Sequence, residues 1–191
     1  LYFAPSYAAS YGKECIAAYT IGLNLWLMGA FMIDGYSSAG NILSGKLLGA
    51  KEYRTLVKLG NNLIIYGFVF GGFLALVGFV FYDFIGEIFT KEPAVLKQFY
   101  NTFWIILLMQ PICSIAFIYD GMFKGMGEMK YLRNVLLLST TLIFIPVLLF
   151  FDSIDYKLYA IWMAFYAWIV ARGIPLIVKF RSKFSALIKK V

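Results

Sequence analysis

Residues 87–128 decide how the chain folds. The stretch begins Glu87-Ile-Phe-Thr-Lys-Glu-Pro-Ala-Val-Leu, continues through an apolar run that contains Gln110-Pro111, and ends Asp120-Gly-Met-Phe-Lys-Gly-Met-Gly-Glu. The apolar run has the length of about 20 residues that a helix needs to cross the hydrocarbon core of a bilayer. Proline inside such a helix removes one backbone hydrogen bond. The stretch therefore predicts a broken membrane helix between an acidic, Pro-marked loop and a Gly-rich basic loop.

The composition extends this prediction to the whole chain. Of the 191 residues 62% are hydrophobic and only 14% are charged, and the mean hydropathy is +0.79. A soluble domain carries about 25% charged residues. Since this chain cannot cover itself with polar side chains, its solvent must be the bilayer. We expect an all-α integral membrane protein.

Five segments have membrane length. They cover residues 16–42, 62–81, 99–119, 134–151 and 158–180. The chain begins at Leu1 rather than Met, so we expect residues 1–10 to be the end of a truncated transmembrane helix. Residues 11–180 then hold the five helices, and residues 181–191 form a basic tail, either on the cytoplasmic leaflet or solvated and partly disordered.

The cations alternate between the loops without exception. One set of alternate loops and termini carries 13 of the 17 Lys and Arg, and the other set carries four. Because cytoplasmic loops are enriched in Lys and Arg, the basic loops and the C-terminus are predicted to be cytoplasmic. The net charge of +7 is thus explained by the cations that orient the helices in the membrane. We therefore expect membrane lipid as a partner and no nucleic acid.

Several chemistries are excluded by the residue inventory. The chain has no His, which removes the usual zinc sites and any Ser-His or Cys-His catalytic pair. Its two cysteines, Cys15 and Cys113, form no CxxC motif and lie in apolar helical sequence. We therefore expect no enzyme activity, no metal site and no cofactor.

Asp34 lies inside the first span and is the leading candidate site residue. Ser37, Ser38 and Asn41 follow at i+3, i+4 and i+7, so the four side chains share a face. A carboxylate in hydrocarbon costs several kcal/mol unless it is paired, protonated or wetted. One interpretation is a proton or cation site on a cavity, and the other is a structural bond that caps a kink beside Gly35.

Asp120 is the second intramembrane acid. It precedes Gly121, which forms a GxxxG pair with Gly125. One interpretation makes Asp120 a coupling or cavity residue, and the other makes it the end of its helix and the anchor of a turn with Lys124. Arg172, within the last span, either snorkels to the surface or pairs with an inward acid.

Gln110 and Pro111 mark the middle of the third span. Proline forces a kink there, and an adjacent amide either satisfies the freed carbonyl or touches a ligand. Breaks of this kind mark binding or moving regions in transporters. We predict Gln110 as a cavity residue and Pro111 as a hinge, with a static kink as the alternative.

Six short segments stand in a characteristic order and spacing: Asn24-Leu-Trp-Leu, Ile33-Asp-Gly, Gly45-Lys-Leu-Leu-Gly-Ala-Lys, Phe89-Thr-Lys-Glu-Pro-Ala-Val, Gln110-Pro and Asp120 to Arg133. Their order and spacing resemble the second half of a MATE (multidrug and toxic compound extrusion) transporter of the DinF-like branch. The resemblance implies the C-terminal lobe, about six helices, of a twelve-helix protein with a missing N-terminal lobe. It also implies export of organic cations or drugs in exchange for protons or sodium ions, in a bacterial inner membrane.

The chain departs from that family in two ways. The first-lobe Asp often assigned to proton coupling is absent, and Cys113 and Ser114 stand roughly where sodium-coupled relatives have an acid. No sodium site is therefore assigned. Two alternatives to an antiporter remain, a lipid-linked saccharide flippase of the same superfamily and a membrane interaction subunit that transports nothing.

Overall fold

A computed structural model of the chain describes residues 3–188, with side chains described up to residue 184. These residues form helices joined by short turns, with no strand among them. The helices are α1 (Phe3–Ser10), α2 (Lys13–Gly49), α3 (Tyr53–Val80), α4 (Tyr82–Phe89), α5 (Pro93–Gly125), α6 (Met129–Ser139), a π-helical segment (Thr140–Phe144), α7 (Ile145–Ser153) and α8 (Leu158–Ile188).

The predicted five spans are confirmed. The helices α2, α3, α5 and α8 and the continuous rod Met129–Ser153 are each long and apolar enough to cross a membrane. Each helix extends beyond its predicted span at one end or both, because helical hydrogen bonding continues after the apolar residues end, although α3 stops one residue before the predicted end at 81. The predicted tail begins inside a helix, since α8 runs to Ile188, and residues 189–191 lie outside the described part of the chain.

Helix α5 forms the centre of the bundle. It packs against α2, α3 and α8, and more than half of its residues are buried, although Trp104 and Leu108 are exposed. Helix α5 carries polar residues such as Gln110 and Asp120, which the bundle buries, whereas the outer helices present apolar side chains to lipid. Large exposed side chains on the outer helices include Phe31, Val69, Phe79, Leu142 and Val178.

The crossing of α2 and α5 is made by glycines. A Cβ on Gly121 would overlap the backbone carbonyl of Ser37, and a Cβ on Gly125 would overlap that of Asn41. The Ser44 hydroxyl donates a hydrogen bond of 2.9 Å to a backbone carbonyl of α5. The GxxxG pair thus brings two backbones together, as small residues do in membrane bundles.

Helix α3 approaches α5 at the proline. Gly71 lies against the backbone of Gln110 and Pro111, and Gly78 lies against the side chain of Leu107. Gly72, on the next position, faces open space. Helix α5 is continuous through Pro111, so the predicted broken helix is wrong and the interior proline does not end α5.

The rod from Met129 to Ser153 contains the π-helical segment just before Pro146. Proline has no N–H, so the carbonyl four residues earlier loses its α-helical partner, and a wider turn is one way to accommodate the loss. The Trp168 indole of α8 donates a 3.1 Å hydrogen bond to Thr140 at the start of this segment. Pro146 marks the place in the sequence, but the π geometry was not predicted.

Candidate functional site: a charged cavity between three helices

A cavity of about 290 Å³ opens between α2, α5 and α8. It brings together the two predicted intramembrane acids, which come from different spans, and the arginine of the last span. Its lining residues are Ala30, Phe31, Asp34, Ser37, Phe117, Asp120, Lys124 and Arg172. We call this space the charged cavity.

Asp120 is buried and forms an ion pair with Arg172 of α8. The interpretation of Asp120 as a helix end and turn anchor is wrong, because α5 continues to Gly125. The close approach of α2 encloses this part of α5, so the carboxylate lies inside the bundle rather than in a loop. The alternative that Arg172 pairs with an inward acid is confirmed.

Arg172 is held by aromatic rings as well as by Asp120. Its guanidinium carbon lies 5.2 Å from the ring centroid of Trp168 and 5.9 Å from that of Phe117. Cation–π contacts of this kind stabilise a desolvated guanidinium. Of the five N–H donors of the guanidinium, the described residues accept one hydrogen bond, through Asp120. The remaining donors are available to water or to a ligand in the cavity.

Asp34 lines the same cavity but is exposed. Within residues 3–188 its carboxylate has no hydrogen bond and no salt bridge. Ser37, buried one turn later, lines the cavity with it, whereas the side chains of Ser38 and Asn41 are not part of the lining. The predicted polar stripe therefore reaches the cavity through Asp34 and Ser37 only.

Gln110 lies outside the charged cavity. Its side chain is buried against Gly29 of α2, and its Oε1 has no hydrogen-bond partner among the described residues. The Ser114 hydroxyl donates a 2.7 Å hydrogen bond to the carbonyl of Pro111 itself, rather than to the Leu107 carbonyl that the proline frees. The middle of α5 thus contains an unpaired amide oxygen beside its kink-forming residue.

The lining residues that were not predicted as site residues include Phe117 and Lys124 of α5. Phe117, Asp120 and Lys124 occupy positions i, i+3 and i+7 of α5, so they share one face of the helix. This helical spacing was the signal in the sequence, but it indicates a shared face only if α5 continues past Asp120.

A second ionic group lies beyond the end of α5. Glu128 pairs with Lys179 at 3.0 Å and with Lys183 at 2.6 Å, both on α8. Hydrogen bonds from Lys183 and then Lys179 hold the pKa of Glu128 below its usual value. Lys179 also lies 3.7 Å from the ring centroid of Tyr131. We call Glu128, Lys179 and Lys183 the Glu128 clamp, since they tie the α5–α6 turn to α8.

The fold and cavity define a class of protein, a polytopic helical membrane protein with ionisable groups in a cavity that opens between its helices. The family model MatE matches residues 5–150. The chain therefore belongs to the MATE family.

Curated relatives come from Arabidopsis thaliana. Protein DETOXIFICATION 42 is 28% identical over 148 residues, which are 78% of this chain and 28% of that protein. The chloroplastic Protein DETOXIFICATION 45 is 29% identical over 128 residues, which are 67% of this chain and 23% of that protein. The chain spans about a quarter of the length of the curated relatives it matches.

Solved structures show the same fold. A multidrug resistance MATE family transporter of the MOP superfamily, in its outward-facing conformation, has a TM-score of 0.89 at 17% identity, covering 98% of this chain and 43% of that one. An inward-facing structure with the same description has a TM-score of 0.87 at 18% identity, covering 98% and 44%. The described bundle thus has the fold of part of a MATE transporter.

Proposed function

We propose that the chain is the C-terminal lobe of a secondary antiporter, which exports organic cations or drugs in exchange for protons or sodium ions. The observation that supports this most is Asp34, a carboxylate without a partner among the described residues, on a cavity that opens between helices of membrane length. Membership of the MATE family supports the transporter class. An N-terminal lobe would complete the cavity, consistent with the share of the solved transporters that this chain covers.

The chemistry of exchange follows from the cost of a charge in low dielectric. An ionised Asp34 away from bulk water is unfavourable unless a proton, a metal cation or a cationic substrate neutralises it. These occupants compete for one carboxylate, so binding of one favours release of another. Phe31 and Phe117 add aromatic faces to the lining, which suit a lipophilic cation.

Asp120 has a different role in this proposal. Its charge is already neutralised by Arg172, so the pair orients the cavity wall rather than carrying the transported cation. If a proton displaced Arg172 from Asp120, the link between α5 and α8 would weaken. Asp120 is therefore a coupling candidate that acts through helix packing.

Pro111 is proposed as the hinge of alternating access. It removes a backbone hydrogen bond in the centre of α5, beside the unpaired oxygen of Gln110. A helix weakened at this point can yield as one bundle rocks against another. In Pro111→Ala we expect one access state to be favoured, measured as substrate accessibility from each side. Equal accessibility in wild type and variant, with unchanged efflux, leaves Pro111 as a static kink.

The flippase alternative has one observation in its favour. Lys124 and Arg172 both line the charged cavity, so it holds two cations as well as two acids. A lipid-linked saccharide carries phosphate, which cations attract. A transport assay that offers both substrate classes separates the alternatives, because drug efflux and lipid-linked saccharide translocation have different products.

The direct test substitutes Asp34→Asn in the full-length protein, with Asp83→Asn on the exposed α4 as the matched control. We expect normal expression but at least a roughly tenfold loss of proton-coupled efflux of a fluorescent organic cation, since the neutral amide cannot exchange a proton. The control should export like wild type. Wild-type efflux by Asp34→Asn across pH would make Asp34 a structural residue, and absence of efflux in the wild type would favour the interaction subunit.

A separate experiment tests the proposed orientation, in which the C-terminus lies on the cytoplasmic side of a bacterial inner membrane. Ser182 and Ser153 are both exposed and lie near opposite ends of the bundle, while Cys15 and Cys113 are buried. In intact cells a membrane-impermeant maleimide should label Ser153→Cys and spare Ser182→Cys. The reverse pattern would invert the topology.

A further inference from the structure

An apolar groove of about 500 Å³ runs along α6, the π-helical segment and α8. It shares no lining residue with the charged cavity. Almost all of its lining is apolar. Its walls include Tyr131, Val135, Leu138, Leu142, Ile143 and Pro175.

The groove has the length of a lipid chain. Twelve residues separate Tyr131 from Ile143, which at 1.5 Å per residue is about 18 Å. One leaflet of a bilayer contributes about 15 Å of hydrocarbon. An acyl chain that lies parallel to α6 therefore fills the groove from the end of the helix to about the middle of the membrane.

One end of the groove is basic. The Arg133 Nη2 lies 3.3 Å from Oδ1 of Asn134, a groove residue, and Lys130 is exposed one position before Tyr131. Within the described residues neither Lys130 nor Arg133 forms a salt bridge. Their charge is therefore not neutralised by the protein.

The acid nearest to this end in sequence does not offset that charge. Glu128 is occupied by two lysines of α8, and Lys179 of that group stands over the Tyr131 ring at the groove. The mouth of the groove thus keeps a net positive charge next to an apolar channel. Any phospholipid phosphate can accept a charge-assisted hydrogen bond from Arg133, but the cation of a zwitterionic headgroup offsets the attraction to the basic mouth, so a lipid with a net negative headgroup gains more.

We propose that this groove is a binding site for one anionic phospholipid, with an acyl chain between α6 and α8 and its phosphate held by Arg133 and Lys130. The site is separate from the charged cavity, and it does not depend on the transported substrate. The lipid would fill the space that the side chains of α6 and α8 leave, and so would fix the distance between these helices.

The test uses the purified protein in detergent, titrated with phosphatidylglycerol or with phosphatidylcholine of identical acyl chains and followed by native mass spectrometry. We expect phosphatidylglycerol to bind at least roughly tenfold more tightly, because two basic side chains contribute. Soluble glycerophosphoglycerol, which has the headgroup without the chains, should not displace the lipid at equal concentration. Displacement by the soluble headgroup, or equal binding of the two lipids, would overturn the proposal.

Two matched pairs of variants locate the site. Arg133→Gln should weaken phosphatidylglycerol binding roughly fivefold, whereas Arg54→Gln, an exposed arginine at the start of α3, should not change it. Leu138→Trp should fill the groove and weaken binding of both lipids, whereas Leu137→Trp, equally exposed at 56% but outside the lining, should not. Equal effects within either pair would show that lipid binds elsewhere or that another part of the protein covers the groove, and either result refutes the site.

Discussion

Two ionic groups connect the α5 region to α8, and they differ in their surroundings. In the charged cavity the side chains of Asp120 and Arg172 are 8% and 16% exposed. In the Glu128 clamp the exposed fractions are 25% for Glu128, 31% for Lys179 and 33% for Lys183. Desolvated charges depend on each other far more than wetted charges do. Two carboxylates eight positions apart in the sequence therefore serve different purposes.

The difference arises from backbone packing. At Asp120 the glycines of the GxxxG pair allow α2 to close over α5, and the rings of Phe117 and Trp168 flank the arginine. At Glu128 the chain has already turned toward α6, so water reaches the carboxylate. Burial by a neighbouring helix, rather than residue identity, decides which acid is sensitive to loss of its partner.

The largest effect is expected from breaking the buried pair. Arg172→Gln leaves Asp120 buried without its counter-charge, which should lower the free energy of unfolding by about 3–5 kcal/mol. Unfolding of the purified protein in detergent measures this change. The double variant Asp120→Asn/Arg172→Gln should recover most of the loss, because it leaves no charge behind. If the single and double variants unfold alike, the pair is not desolvated and the contrast between the two ionic groups fails.

A somewhat smaller effect is expected from opening the helix crossing that encloses the pair. In Gly121→Val the new side chain meets the Ser37 carbonyl, so α2 must move away at a cost of roughly 3 kcal/mol. Gly72→Val is the control, since a Cβ there meets nothing within 4 Å. Thermal unfolding of both variants provides the comparison. Equal stability would mean that the close approach of α2 is not required.

The smallest effect is expected at the clamp. Because hydrogen bonds lower the folded-state pKa of Glu128, its contribution is present above the unfolded-state pKa of about 4.3 and is lost as pH falls through the lower, folded-state pKa. Glu128→Gln should therefore be less stable than wild type by at most about 1 kcal/mol near pH 7, since the pairs are partly exposed. As the pH falls through the folded-state pKa of Glu128, the difference should shrink toward zero.

The pH dependence of Glu128→Gln needs a matched control at another exposed acid. Glu87→Gln changes an exposed acid that forms no salt bridge within the described residues, so it should show no such convergence with wild type. A stability difference at Glu128 that stays constant down to acid pH would show that the clamp acts through packing rather than charge. In that case the contrast between the Glu128 clamp and the buried Asp120–Arg172 pair would be smaller than proposed.

The five spans were predictable because their signal is local. An apolar run of about 20 residues must form a helix in lipid, since no water is present to satisfy the backbone. The extent of α5 was not predictable in the same way. Asp120 and Gly121 are typical of a helix end when read as sequence, and only the packing of α2 against Gly121 and Gly125 explains why the helix continues.

The candidate site was predictable in part for the same reason. Asp34 and Asp120 stood out because an acid inside an apolar span is unusual, and both lie on the charged cavity. Gln110 also stood out, but the structure directs its amide toward Gly29, away from that cavity. A polar residue in a span indicates that its side chain needs a hydrogen-bond partner or water, but the sequence does not show which neighbour provides it.

By itself, then, the sequence determined the membrane environment, the number of spans and the residues too polar to face lipid, because these depend on the chemistry of each segment. The tertiary structure alone decided that Asp120 pairs with Arg172 while Asp34 has no partner within residues 3–188. It also decided that α6 and α8 leave a groove. These outcomes depend on how closely helices distant in sequence approach each other, and that distance is set by the contacts of both helices together.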